Sequence, residues 1–536
     1  MKLHAFPPPP PFLPYISKTE GKTKLFSLST EKNHKEASVA RVLKYTGILG
    51  GVQGLYVLLG LVRNKLTSIL LGVGGVGLID MYSRTADLIC SSTNLGISFC
   101  AIQHIAELND KGVDEEGLPL APADNPQLVH YIRLVRSWVA YTAMAGFLVA
   151  LLLAPMWAFI LLGSTRHASM VVLLSPLVPV LALSGGEMAV LRGLRRLRTI
   201  ALITLCGAFT TLLITLPIYY MLGTTGIPPA LVASAAVLLV MQWFAARRIV
   251  PYRINLFSWR FLKRGRRMLQ LGVGSVLTGI VCSGCELLVR SYVVHYGSMA
   301  SAGLFAAGLT LTVTYTRLVF SSMDSDYFPR LSATSGDVER QNTAINRQID
   351  VLMLLMAPML MVFALFLPLI VPLLYTADFA EAIPMVYAAL FYMFFKAVST
   401  PIAYLSLARS RSRLYFFVEV SYSAAFLLTA VVGFRLWNVV GLGVALSLSN
   451  LIYLFVVWTV YGRVFGFRMK GATLHRCLLY FVILATGVGA CALGGGSWQS
   501  YAVAGAAAIA AMLLSALLLK NEVQMPKRWR KFLRRK

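Results

Sequence analysis

The chain has 536 residues, of which 57% are hydrophobic and 13% charged, with a net charge of +27 and a mean hydropathy of +0.70. A soluble chain of this length needs roughly a quarter of its residues charged to cover its surface, so the solvent here is lipid. The positive charge falls in short loops between apolar spans, which excludes a basic nucleic-acid-binding domain and suits membrane topology.

Taken in order, residues 1–40 are polar, with a polyproline run from Pro7 to Pro11, and read as a disordered tail. They lack the compact charged segment, apolar core and small-residue cleavage site of a secretory signal. Crossing the hydrocarbon core takes about 20 apolar residues. Spans of that kind fall at 43–63, 77–104, 137–163, 170–190, 199–222, 228–246, 270–295, 301–328, 351–375, 384–407, 414–434, 440–461, 475–494 and 500–519. The expected fold is an all-α polytopic membrane protein of about fourteen transmembrane helices. Two six-helix lobes, 41–246 and 269–462, surround a central cavity and are joined by a basic linker, 247–268. A further helix pair occupies 463–520 and a polybasic tail 521–536.

Lysines and arginines crowd every second loop: Arg192, Arg195, Arg196 and Arg198 in one, Arg409, Arg411 and Arg413 in another, and the tail. The alternate loops are nearly bare. Positive charge stays on the cytoplasmic side, so both termini are expected there, with the basic loops on anionic lipid. The bare loops are short, which disfavours an enzyme holding a glycan acceptor outside the membrane. The seven cysteines all lie in apolar spans and read as packing residues, including Cys282 and Cys285 of the one C-x-x-C. No metal site or bound cofactor is expected, and no P-loop occurs.

Two hairpins resemble each other. Leu61-Val62-Arg63 is followed, after a glycine-rich turn, by Gly77-Leu78; Leu288-Val289-Arg290 is followed by Gly303-Leu304. Each opens one six-span block, as in transporters built from parallel repeats with a substrate site between the halves. Charges inside spans are costly and mark functional paths. Asp80, Arg84 and Asp87 share one helical face, as do Glu286 and Arg290. Glu187, Lys396, Arg317 and the pair Asp324 and Asp326 lie in other spans, and Arg63 and Lys65 at the outer end of the first. The arginines in both lobes suit a phosphate or diphosphate, which the planar guanidinium fork fits. Lys65, Arg84, Arg290, Arg317 and Arg63 are therefore candidate substrate contacts. Asp80, Asp87, Glu187, Glu286, Asp324, Asp326 and Lys396 are candidates for balancing charge or coupling to an ion. Asp324-Ser325-Asp326 is also a D-x-D, the metal-holding pattern of many sugar-nucleotide transferases. It keeps a membrane-embedded glycosyltransferase or polymerase open as an alternative.

The stretches GLYVLLGLVRNKLTSILLGVGGVGLIDMYSRTADL and NLGISFCAIQHIAELND, with CELLVRSYVVHYGSMASAGLFAAG and SSMDSDYFPRLS in the second block, resemble O-antigen flippases of the Wzx type. These belong to the multidrug/oligosaccharidyl-lipid/polysaccharide (MOP) exporter superfamily. The resemblance covers about 42 to 461. It implies a bacterial inner-membrane protein that flips undecaprenyl-diphosphate-linked oligosaccharide between leaflets by alternating access, driven by a proton or sodium gradient or by membrane potential. It also implies partners among polysaccharide polymerase and assembly proteins. A lipid II flippase or a drug/cation antiporter of the same superfamily is the near alternative. The N-terminal extension and the last two spans depart from the twelve-span pattern.

Overall fold

This computed structural model describes residues 27–94, 96–112, 120–165, 168–254, 266–314, 320, 327–334, 336–494 and 497–522. The chain divides into two compact units at Gly54 and Leu55, so the first six-span block lies within the second unit only from Leu55 onward, and the second block lies wholly within it. The described residues are helical, joined by turns, with no strand among them.

Helix α1 (Ser27–Asn94) begins inside the stretch read as a disordered tail; Glu31, Lys32, Lys35 and Glu36 there are good helix formers. It continues past Lys65 and breaks only at Gly72 (φ 66). The LGVGGVGL segment is therefore a turn at one residue: Gly74, Gly75 and Gly77 stay helical. Arg63, Asn64 and Lys65 consequently lie about two turns before the break, not at the end of the first arm as expected. The second arm of α1 ends at Asn94, and left-handed Gly96 (φ 72) starts α2 (Ile97–Lys111), so the expected span 77–104 is two helices.

α3 (Pro126–Leu152) starts well before the expected 137, because Asn125 caps it by accepting from the Leu128 amide and Pro126 suits a first helical position. It yields to α4 (Ala154–Leu162), then α5 (Ala168–Leu174) and α6 (Leu177–Gly193). α7 (Leu197–Leu222) and α8 (Ile227–Arg247) form a hairpin about a short turn, Gly223–Gly226. In the second half, α9 (Arg266–Tyr296) precedes α10 (Met299–Leu309), which passes into a π turn at Thr310–Thr314. α11 (Val338–Leu374) is capped by Asp337, and α12 (Ile383–Ala408) and α13 (Ser412–Phe465) follow. α13 reverses at Trp437 and Asn438, where Asn438 takes the left-handed conformation (φ 48) that asparagine tolerates. Gly433 and Gly441 then face each other backbone to backbone. α14 (Gly471–Leu493) and α15 (Trp498–Glu522) form the last pair and pack on α11.

Ten helical stretches are long and apolar enough to cross a membrane. Three of them, Gly51–Asn94, Leu197–Arg247 and Ser412–Phe465, are far longer than the roughly 20 residues one crossing needs and contain the reversals just described. Ten stretches with three doubled make thirteen segments of crossing length among the described residues, and Met299–Val313 is a shorter apolar helix at the place of the expected eighth span. The protein is an all-α polytopic membrane protein.

The matched glycines of the two hairpins meet. A Cβ on Gly77 would lie 2.5 Å from the Met299 carbonyl oxygen and 2.8 Å from the Gly303 nitrogen. One on Gly303 would overlap the carbonyl of Val73. Each glycine thus lies on the backbone four residues before the other, and the second arm of α1 crosses α10 at bare backbone.

Candidate functional site

Between the two arms of α1 and the helices α6, α7 and α8 lies a cavity of about 670 Å³, within the range of small-ligand sites. Its charged lining comes from α1: Arg63 on the first arm, and Asp80, Arg84 and Asp87 on the second. Hydroxyls and an amide complete the polar wall, among them Asn64, Thr215, Tyr219 and Ser234. From the second half only Ala306, Thr310 and Tyr375 reach it among the described residues. Among the described residues the cavity is therefore lined mostly by the first half, whereas the sequence reading placed the site between the halves with arginines from both.

Asp80 organises the charges. Its Oδ1 accepts from Arg84 Nε at 3.3 Å, and its Oδ2 accepts from Arg290 Nε at 2.6 Å. Arg290, on α9, also reaches Glu286 Oε2 at 3.4 Å and the Glu286 carbonyl at 3.1 Å, with its guanidinium 5.4 Å over the Phe305 ring. Its side chain is 1% exposed, so it backs the cavity through Asp80 and does not line it. Arg84 is 48% exposed and spends only Nε on Asp80, leaving both terminal nitrogens toward the cavity. Among the described residues Arg63 makes no hydrogen bond or ion pair, and the Asp87 carboxylate makes no ion pair.

The other expected site residues fall elsewhere. Lys65 donates to the carbonyls of Pro372, at 2.6 Å, and Tyr375. Glu187 takes both Arg136 Nε and Nη2 at 2.8 Å in a buried pair beside a separate cavity of about 210 Å³. Arg136 also donates to the Pro251 carbonyl, tying the linker to α3 and α6. Lys396 donates to Tyr392 at 2.9 Å, within the second half. Arg317, Asp324 and Asp326 lie outside the described residues. Among those described, no three His, Cys, Asp or Glu side chains could hold a metal. The neutral lining was not picked from sequence, since hydropathy does not separate a cavity serine from a packing one. Thr211 and Thr215, one turn apart on apolar α7, were the available signal.

The sequence profile of a polysaccharide biosynthesis protein family matches residues 121–384. Among solved structures, the chain is similar to a lipid II flippase, MurJ, in an inward closed conformation. The TM-score is 0.67 at 12% identity, covering 88% of this chain and 99% of that one. It is also similar to an inward-facing multidrug-resistance MATE transporter of the MOP superfamily, with TM-score 0.59 and 14% identity over 80% of this chain and 96% of that one. A third is a MOP transporter from Pyrococcus furiosus, with TM-score 0.52 and 16% identity over 78% and 92%. The chain has the MOP-superfamily fold. The fold expected from the two hairpins is thereby borne out. No curated protein sequence matches the chain significantly. Within the MOP fold, the cavity against α1 is where this chain concentrates uncommitted charge.

Proposed function

We propose that this protein is a flippase that moves a polyprenyl-diphosphate-linked oligosaccharide, an O-antigen or related repeat unit, from the cytoplasmic to the periplasmic leaflet of a bacterial inner membrane. The observation that carries this reading is the pair of unspent guanidinium groups, Arg63 and the terminal nitrogens of Arg84, in one cavity rimmed with hydroxyls. Guanidinium forks suit diphosphate oxygens, and hydroxyls and amides suit a glycan. Asp80 is neutralised by buried Arg290, so the remaining charges facing the cavity are two cations and one carboxylate, Asp87. The polysaccharide-biosynthesis family match and the lipid II flippase among the structural neighbours support the same substrate class. A proton or sodium ion would couple at Asp87 or Lys396, with the basic loops on the cytoplasmic side.

The free Asp87 carboxylate, together with the MATE neighbour, favours one second reading, export of a cationic compound. Depleting the protein in cells and assigning lipid-linked glycan to a leaflet separates the readings. Accumulation on the cytoplasmic face with normal glycan synthesis is expected. Normal leaflet distribution with drug sensitivity would favour the cation exporter, and absent or shortened glycan would return attention to Asp324 and Asp326 as an enzyme site.

A further inference from the structure

The geometry points to Lys65 as a gate latch: its ammonium ties the first arm of α1 to the end of α11 and so holds the cavity shut at the end bearing the Gly72 turn. Lys65 is absent from the cavity lining. Its Nζ reaches across to the other half of the molecule, donating to the Pro372 and Tyr375 carbonyls. The neighbouring Asn64 amide makes a long contact, 3.5 Å, to the Tyr375 hydroxyl. These acceptors lie at the C-terminal end of α11, Pro372 in its last turn and Tyr375 at its cap. The last carbonyls of any α-helix lack amide partners and carry the negative end of its dipole. At α11 the Tyr375 amide satisfies only the Val371 carbonyl. A lysine is a side chain suited to cap such carbonyls.

Two further facts place the cap at a gate. Tyr375 lines the cavity with its ring while its carbonyl receives Lys65, so the cap forms part of the cavity's rim. The Gly77–Gly303 crossing joins the same arm pair to α10. For contents to leave by this end, the first arm of α1 must part from α11, and the capping bonds are what parts. Among the described residues no carboxylate lies within ion-pair distance of Lys65, so the latch binds neutral acceptors only. It is therefore strong enough to hold and free of a buried ion pair that would be costly to break. Lys65 is accordingly a positioning residue, not a substrate contact, on the path proposed above.

The test reads gate opening and needs no substrate. In a variant lacking the seven native cysteines, Val76→Cys places a thiol on the cavity wall. Its rate of modification by a membrane-impermeant maleimide is measured in right-side-out vesicles. Lys65→Met, which keeps the stem and removes the donors, is expected to raise that rate at least about tenfold, since both charged hydrogen bonds are lost. Lys65→Gln, a shorter and uncharged donor, falls between, and Lys65→Arg stays near the parent. If Lys65→Met fails to insert, the graded Gln and Arg variants carry the comparison. Equal labelling in all four would overturn the latch. Equal labelling with loss of glycan flipping would instead make Lys65 a substrate contact and leave the proposed function standing. Faster labelling with flipping never observed would keep the latch and sink the flippase.

Discussion

At the scale of single residues, Arg84 and Arg290 share one carboxylate but stand on opposite sides of it. Arg84 is half exposed, and an exposed pair contributes about 0–1 kcal/mol. Arg290 is buried, and breaking a buried pair costs on the order of 3–5 kcal/mol. Arg84→Ala should therefore abolish glycan export while the purified protein melts within a few degrees of the parent. Arg290→Ala should lower the melting temperature and the yield as well as export. Equal melting for both variants would mean that Arg290 is not a packing charge. The sequence made the six carboxylate and guanidinium positions on α1 and α9 (Arg63, Asp80, Arg84, Asp87, Glu286 and Arg290) easy to find, because each is costly in an apolar span. It did not disclose which were spent. Partner choice depends on helix rotation and depth, and Arg63 and Lys65, two residues apart, end in a cavity and on a helix end respectively. The end of the first arm was misplaced for a related reason: a hydropathy window stops at charges, whereas the helix runs on to Gly72, with Lys65 held by carbonyls at the end of α11.

At the scale of elements, glycine spacing was legible but its meaning was not. Four glycines cluster after Leu71, and only Gly72 needs a left-handed backbone. Gly74 faces open space, while Gly77 abuts the backbone of α10. Gly77→Ala must push two helix backbones apart, an overpacking cost of about 1–3 kcal/mol. Gly74→Ala should be neutral or stabilise by roughly 0.5–1 kcal/mol through helix propensity. Thermal melting in detergent checks the contrast, and a destabilising Gly74→Ala would place that face against an unrecognised partner. The helix count came through from apolar length alone, since a crossing cannot be shorter than the hydrocarbon core. The boundaries near α2 and α3 did not, because caps such as Asn125 act beyond the apolar run.

At the scale of the whole molecule, the alternation of basic and bare loops predicts that both ends of the chain face the cytoplasm. A fluorescent protein fused after residue 522 should fluoresce, and alkaline phosphatase at the same point should stay inactive. The reverse pattern would invert the direction of every step proposed above. The +27 charge is then mostly an address, and only a few cations inside the bundle have chemical work. One contact within that bundle has a further consequence. Val73 with Gly77 meets Met299 with Gly303 reciprocally, each glycine seated on the residue four places before its counterpart. Self-complementary reciprocity of this sort is how two identical chains meet across a two-fold axis. Here the two partners are segments of a single polypeptide, and the contact has the same reciprocal form. Its two glycines are one site written twice, so substituting both should cost less than the sum of substituting each.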